Sequence, residues 1–182
     1  VERLIDYFGN EQNLVIGAVA PFTFIAGAIT PIRPICLGAS VTIVPRETMM
    51  NPGQLADFVE ANKISGMYMP PKLAKIFKEK GDSLKEITTG SERVTDLYSE
   101  KYKITVLYGM SETAAAITAF SIDKSYDNTP VGKAMKGVNI YILNDNNEEC
   151  EEGEICVAGH FMTCYIGMQE KTAETKIKNP FF

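Results

Sequence analysis

The sequence predicts an α/β protein: a doubly wound, mostly parallel sheet flanked by helices, followed by part of a small antiparallel β subdomain. Three observations predict it. Continuously apolar runs such as LVIGAVA at 14–20 have strand length and the two-sided apolarity of strands covered by helices on both faces. From residue 14 to residue 109 such runs alternate with amphipathic stretches, which is the pattern of strand–helix–strand units. Beyond residue 122 the texture changes to alternating polar and apolar positions around Asn144-Asp145-Asn146-Asn147, the signature of an antiparallel hairpin or small barrel.

Val1, Leu4, Ile5 and Phe8 recur at helical spacing, so residues 1–8 read as the end of an amphipathic helix stopped at Gly9-Asn10. The run at 14–20 is the first buried strand. Pro31 and Pro34 interrupt residues 26–37; an interior proline removes a backbone donor and clashes with the preceding turn, so a broken or kinked helix is predicted there. SVTIVP at 40–45 reads as a strand, 52–63 as a helix with Leu55, Phe58 and Val59 inward, and ISGMYM at 64–69 as a strand. Residues 71–80 read as a helix with proline in its first turn, EITTG at 86–90 as a short strand, 95–102 as a weaker helix, and KITVLYG at 103–109 as another strand. NIYIL at 139–143 and GEICVAG at 153–159 form the predicted hairpin, and 172–178 a closing helical turn. The expected organisation is a sheet subdomain at 1–121 carrying the functional loops, then a partial β-barrel-like subdomain at 122–182.

Hydrophobic residues make up 45% and charged residues 23% of the chain, ordinary globular usage. The net charge is -5 and the cations are scattered, so the electrostatic footprint of a nucleic-acid binder is missing. The apolar stretches are too short to span a bilayer, and no membrane partner is expected. Cys36, Cys150, Cys156 and Cys164 form no CxxC pair and, with His160 as the single histidine, compose no zinc-ligand set. A reducing, cytoplasmic setting is expected. The chain opens on Val1 and stops at Asn179-Pro180-Phe181-Phe182, and is expected to be an excised portion of a longer protein.

The stretch Leu107-Tyr108-Gly109-Met110-Ser111-Glu112-Thr113 follows a buried strand, and ligands of doubly wound sheets bind outside the carboxyl ends of strands. A glycine lets backbone approach a ligand, a hydroxyl can bond a phosphate oxygen, a carboxylate can hold Mg²⁺, and an aromatic ring can stack on a base. The plain alternative is a strand end with Ser111 as a helix N-cap. Thr88-Thr89-Gly90-Ser91-Glu92 ends another strand with the same small, polar, acidic character, and its plain alternative is a strand-to-helix turn capped by Ser91. Tyr68-Met69-Pro70-Pro71 ends a third and means little alone.

Taken together, these segments resemble the acyl-adenylate-forming enzymes: adenylation domains of nonribosomal peptide synthetases, acyl- and aryl-CoA synthetases, and luciferases. YGMSET resembles the family's Tyr-Gly-x-Thr/Ser-Glu motif, TGSE its Gly-Gly/Ser-Glu turn, and Leu37-Gly38-Ala39-Ser40 its Gly-Ala-Thr strand entry. Pro130-Val131-Gly132-Lys133 resembles its Pro-x-Gly-Arg/Lys element, and GEICVAG with Tyr165 and Thr172-Ala173 a later segment. The matches keep family order along nearly the whole chain.

The resemblance implies that Ser111 contacts the adenylate phosphate and Glu112 holds Mg²⁺. It implies that Tyr108 stacks on adenine beside Gly109, with Gly90, Ser91 and Glu92 as the neighbouring wall. The acid would face Ile25, Ala26, Ile29, Tyr68, Ile87, Thr89, Leu107, Ala115 and Ala116, although plain core packing explains Ile87 and Leu107 equally well. Their apolar character suggests a hydrophobic acid. Ile25 stands where amino-acid-activating members carry an aspartate, and an unpaired ammonium there would cost several kcal/mol, so a standard α-amino acid is not expected. Phe24 replaces the histidine of the corresponding segment in acyl-CoA synthetases. ATP, Mg²⁺, a small carboxylic acid, and a thiol acceptor, either phosphopantetheine on a carrier protein or CoA, are the implied ligands and partners.

The family's Pro-Lys-Gly phosphate loop, its Tyr-Arg-Thr-Gly-Asp segment and its lid lysine are absent from these residues, so adenylation by this chain alone is not expected. The leading expectation is a portion of a peptide-synthetase-like adenylating enzyme; an acyl- or aryl-CoA synthetase is the alternative within the class. A noncatalytic nucleotide-binding or interaction module is the alternative outside it. His160 lies away from the motif loops, and no catalytic role is expected of it.

Overall fold

The computed structural model describes residues 2–9, 11, 13–77 and 79–179. Val1 and Asn10 at the ends of the first predicted helix, Lys78 in the predicted helix 71–80, and the terminal Pro180-Phe181-Phe182 lie outside the described residues. The chain begins with helix α1 (Glu2–Phe8) and strand β1 (Val15–Ala18). The proline-interrupted segment is indeed broken, into α2 (Ile25–Ile29) and α3 (Ile32–Cys36) with Pro31 at the N-cap of the second. Next come β2 (Ser40–Ile43), a short α4 (Arg46–Met49), α5 (Pro52–Ala61), β3 (Gly66–Tyr68), α6 (Pro71–Phe77), β4 (Glu86–Gly90) and β5 (Lys103–Met110). In α5 the Asn51 side chain accepts from the amides of Gly53 and Gln54, and Pro52 follows at the first helical position, so the helix start is fixed locally.

Five strands run parallel in the order β2-β1-β3-β4-β5. The strand order reverses between β1 and β3, which in such sheets is where a crevice opens beyond the carboxyl ends. Two further strands complete a seven-stranded sheet: β6 (Ala115–Ser121) pairs antiparallel with β5, and β7 (Lys133–Ala134) pairs antiparallel with β6. The large sheet thus runs on to Ala134. A two-stranded antiparallel sheet, β8 (Asn139–Leu143) with β9 (Glu154–Ala158), is the predicted hairpin, and α7 (Gln169–Thr175) closes the described chain.

Two differences from the sequence reading have identifiable causes. Residues 95–102 are not helical: Asp96 sits at φ 47, its amide donates to the Tyr126 carbonyl at 2.8 Å, and Ser99 Oγ accepts from the Lys101 amide at 3.1 Å. Side-chain and long-range acceptors replace the helical ones, while Val94, Leu97 and Tyr102 still reach the core. The final helix starts at Gln169 rather than 172 and stops at Thr175, where Thr172 and Thr175 hydroxyls donate back to the carbonyls of Met168 and Lys171.

Each sheet face buries a different set of residues. Leu55, Val59 and Phe77 from α5 and α6 pack on Ile87 and Ile104, all essentially inaccessible. At about 1.5–3 kcal/mol for each fully buried large aliphatic or aromatic side chain, this face is the main source of stability. The opposite face carries a smaller cluster in which Leu4, Tyr7 and Phe8 of α1 and Ile29 of α2 meet Leu107 and Ala119. Its smaller packing leaves a cavity. Among the described residues, no helix is long and apolar enough to cross a membrane.

Candidate active site

The antiparallel return from β5 to β6 is made by a single 3₁₀ turn at Ser111–Thr113 followed by Ala114 at φ 56. A register shift falls between Tyr108 and Gly109, and a Cβ on Gly109 would lie 2.4 Å from the Ala115 carbonyl oxygen, so the two strands close here only around a glycine. Thr113 is 1% exposed and works as the hub of the turn. Its Oγ1 accepts from the Met110 amide at 3.2 Å and can donate to the carbonyls of Met110 at 2.9 Å or Ala115 at 2.8 Å. Arg3 of α1 holds the turn from outside, donating to the carbonyls of Thr113 at 3.2 Å and Ala116 at 3.3 Å.

That scaffold presents Ser111 to solvent and leaves Glu112 partly covered. The Tyr165 hydroxyl donates to Glu112 Oε1 at 2.7 Å, and the Met162 amide donates to the Glu112 carbonyl at 2.9 Å. The Tyr165 bond holds the Glu112 carboxyl below its ordinary range, and Lys171 adds to the effect. The same bond pushes the Tyr165 phenol up. Glu112 therefore stands as an anion at neutral pH with one oxygen already oriented.

β4 ends beside this turn. Gly90 pairs with Leu107, and a Cβ on Gly90 would meet the Leu107 carbonyl oxygen at 2.1 Å, so the strands touch backbone to backbone at their carboxyl ends. Ser91 follows at φ 69, a left-handed conformation that turns the chain sharply. The Tyr68 hydroxyl lies 3.2 Å from the Gly90 carbonyl and 2.9 Å from Ser91 Oγ. Burial pushes the Tyr68 phenol up, the Ser91 bond opposes this, and the Glu92 charge adds to the rise. Residues 88–92 and 107–113 thus share one edge of the sheet.

Beneath that edge lies a cavity of about 130 Å³ between the sheet and the three N-terminal helices. Of the residues the sequence assigned to an acid, Ile25, Ala26, Ile29, Tyr68, Leu107, Ala115 and Ala116 line it, and Ser91 and Gly109 stand at its wall. Thr89 and Ile87 do not: both are fully buried, and Ile87 belongs to the core on the opposite face. Strand alternation brings Thr88 and Glu86 to the cavity in their place. Ser111, Glu112, Tyr108, Gly90 and Glu92 are outside the lining: Tyr108 and Gly90 lie at the carboxyl ends of β5 and β4, and the others in the turns that follow them. Sequence reading passed over Arg3, Thr113, Arg33 and Glu86. Arg33 had a usable signal, a lone cation between two prolines in an otherwise apolar run.

The family model described as "AMP-binding enzyme" matches residues 2–166. The chain belongs to the AMP-binding enzyme family. This AMP-binding chain is 30% identical over 178 residues to bacitracin synthase 1 of Bacillus licheniformis, a match covering 95% of the chain and 3% of that protein. It is 27% identical over 186 residues to tyrocidine synthase 1 of Brevibacillus parabrevis, covering 96% and 17%. The AMPPNP-bound nonribosomal peptide synthetase FmoA3 superposes with a TM-score of 0.88 at 18% identity, over 99% of this chain and 22% of that one. The N-terminal subdomain of Klebsiella oxytoca NpsA, in complex with 3-hydroxybenzoyl-AMSN, gives 0.78 at 22% identity over 94% and 48%. These superpositions show the fold. The chain spans 3% to 17% of the length of these two curated relatives.

Proposed function

We propose that this chain is the acid- and adenylate-binding portion of an AMP-forming acid–thiol ligase. Such an enzyme joins a carboxylic acid to ATP, releasing pyrophosphate, and passes the acyl group to a thiol, releasing AMP. The observation that carries this reading is the Gly90–Leu107 pairing, which sets the segments 88–92 and 107–113 side by side above the apolar cavity. The carboxylate of an acid whose body fills the cavity would emerge between the two segments. Ser111 would donate its hydroxyl to a phosphate oxygen, Tyr108 would stack on the base, and Gly90, Ser91 and Glu92 would form the adjoining wall.

Attack on the α-phosphate needs positioning and charge neutralisation rather than covalent help from the protein. Among the described residues there is no cluster of three or more His, Cys, Asp or Glu, so a dedicated protein cage for a metal is not built here. A single oriented carboxylate does suit Mg²⁺, which is held by one or two carboxylates together with phosphate oxygens and water. Glu112 fits that role because it is ionised and keeps Oε2 clear of the Tyr165 bond. Mg²⁺ bound with ATP would supply neutralisation of the phosphate charge. The likeness to FmoA3, named as a nonribosomal peptide synthetase, and to the NpsA–ThdA "Adenylation-PCP di-domain" supports a carrier-bound phosphopantetheine as the thiol. The cysteines are all free, which fits a reducing, cytoplasmic setting.

The test is ATP–pyrophosphate exchange by the full-length protein against a panel of carboxylic acids. At least one acid should support exchange, and Ser111→Ala and Glu112→Gln should each lower kcat by about 10²-fold, the scale for losing one preorganised charge-stabilising group. Exchange that no acid stimulates would sink the reading.

A further inference from the structure

At the far end of the cavity the lining stops being apolar. Arg33 of α3, 8% exposed, and Glu86, the first residue of β4, both face it. Arg33 Nη1 donates to Glu86 Oε1 at 3.2 Å, Nη2 reaches the Phe8 carbonyl at 3.5 Å, and the guanidinium lies 4.8 Å from the centre of the Phe8 ring. Arg33 Nε is buried with no partner. Gly66 makes room for the carboxylate, since a Cβ there would come within 2.9 Å of Glu86 Cγ.

We propose that Arg33 and Glu86 are a polar floor that selects acids carrying a distal, neutral hydrogen-bonding group, a hydroxyl or a carboxamide. The inference rests on the acid-activating reading above. The pair cancels its own charge, so a distal carboxylate would face Glu86 and a distal ammonium would face Arg33, each in a space with little water to screen it. A hydroxyl or amide can donate to Glu86 Oε2 and accept from the guanidinium edge at once. A wholly apolar acid would strip water from the pair and return no hydrogen bond, leaving buried groups unsatisfied. β4 runs from the floor at Glu86 to the motif turn at Gly90, about 13 Å at about 3.3 Å per residue. The cavity is close in size to one of about 150 Å³ that holds benzene, so a single ring or a short chain with a terminal polar group fits it.

The experiment compares matched acids on the full-length protein by ATP–pyrophosphate exchange: 3-(4-hydroxyphenyl)propanoate against 3-phenylpropanoate, and 8-hydroxyoctanoate against octanoate. The hydroxylated member of the better pair should be favoured at least about tenfold in kcat/KM. A double variant, Arg33→Met with Glu86→Leu, removes both charges together so that neither is stranded, and should abolish or invert that preference while exchange persists. Equal use of both acids by the wild type, or an undiminished preference in the double variant, overturns the inference and leaves acid activation intact. Absence of exchange with every acid would instead remove the underlying reading. If circular dichroism shows the double variant unfolded, calorimetric titration of the wild type with each acid decides, and equal affinities overturn the proposal.

Discussion

The Tyr165 hydroxyl donates a 2.7 Å hydrogen bond to Glu112, tying the turn after β5 to the segment beyond β9. The Met162 amide bonds the Glu112 carbonyl from the same segment, and the Lys171 ammonium lies 4.4 Å from the centre of the Tyr165 ring. Glu112 is thus oriented by residues on its own turn and by a distant stretch of chain.

Replacing Tyr165 with Phe should raise the Glu112 pKa toward its ordinary value. A carboxyl whose folded pKa is depressed contributes stability that is present above its unfolded pKa and lost as pH falls through the folded one. The variant should therefore be less stable than wild type at neutral pH, and the difference should vanish once pH drops below the folded Glu112 titration. Carbon-13 NMR titration of the Glu112 side chain, with urea unfolding at both ends of that range, checks the direction. An unchanged titration would mean that the phenol does not govern the carboxylate.

Thr113→Val keeps the shape of the buried side chain and removes its hydroxyl, stranding the Met110 amide and two carbonyls. We expect a loss of about 1–3 kcal/mol in urea unfolding with an unchanged m-value, whereas Thr113→Ser, which keeps the bonds, should lose less. A larger loss for Ser than for Val would place the role of Thr113 in its methyl group.

Gly90→Ala should cost more than about 2 kcal/mol, because the new methyl would lie 2.1 Å from a backbone oxygen that cannot move without opening β4 from β5. Gly38→Ala is the control: its φ is +69 but nothing lies within 4 Å of the added Cβ, so only the left-handed backbone cost of about 1–2 kcal/mol applies. Chemical denaturation of both variants separates contact from conformation.

Ile25 lines the cavity yet remains 38% exposed, so a carboxylate there would keep part of its hydration. Ile25→Asp should shift the kcat/KM ratio toward an α-amino acid over its deaminated analogue by about tenfold or more, with the KM for ATP unchanged. Wild type should favour the deaminated acid. A ratio that does not move would show that Ile25 is not beside the α-carbon.

Much of this architecture was legible because buried parallel strands write themselves as uninterrupted apolar runs, and because loops at their carboxyl ends were visibly small, polar and acidic. β6 was not, since three of the seven residues of AAITAFS are alanine and small residues give little periodic signal. The choice between Thr88 and Thr89 needed the parity of β4, which only a neighbour such as Leu107 anchors. The Arg33–Glu86 pair spans 53 residues, and no local pattern announces a partner at that distance. The same physics explains the misread 95–102 segment, whose helical promise is cancelled by the Asp96 amide bonding Tyr126.

Arg3 reaches the turn carbonyls of Thr113 and Ala116 across 110 and 113 residues of chain. Closing so long a loop is an entropic cost met only when the sheet between is already assembled, so the turn acquires its final shape among the last events of folding. Its amides should accordingly exchange with solvent through partial openings that release α1 while β4 and β5 stay paired.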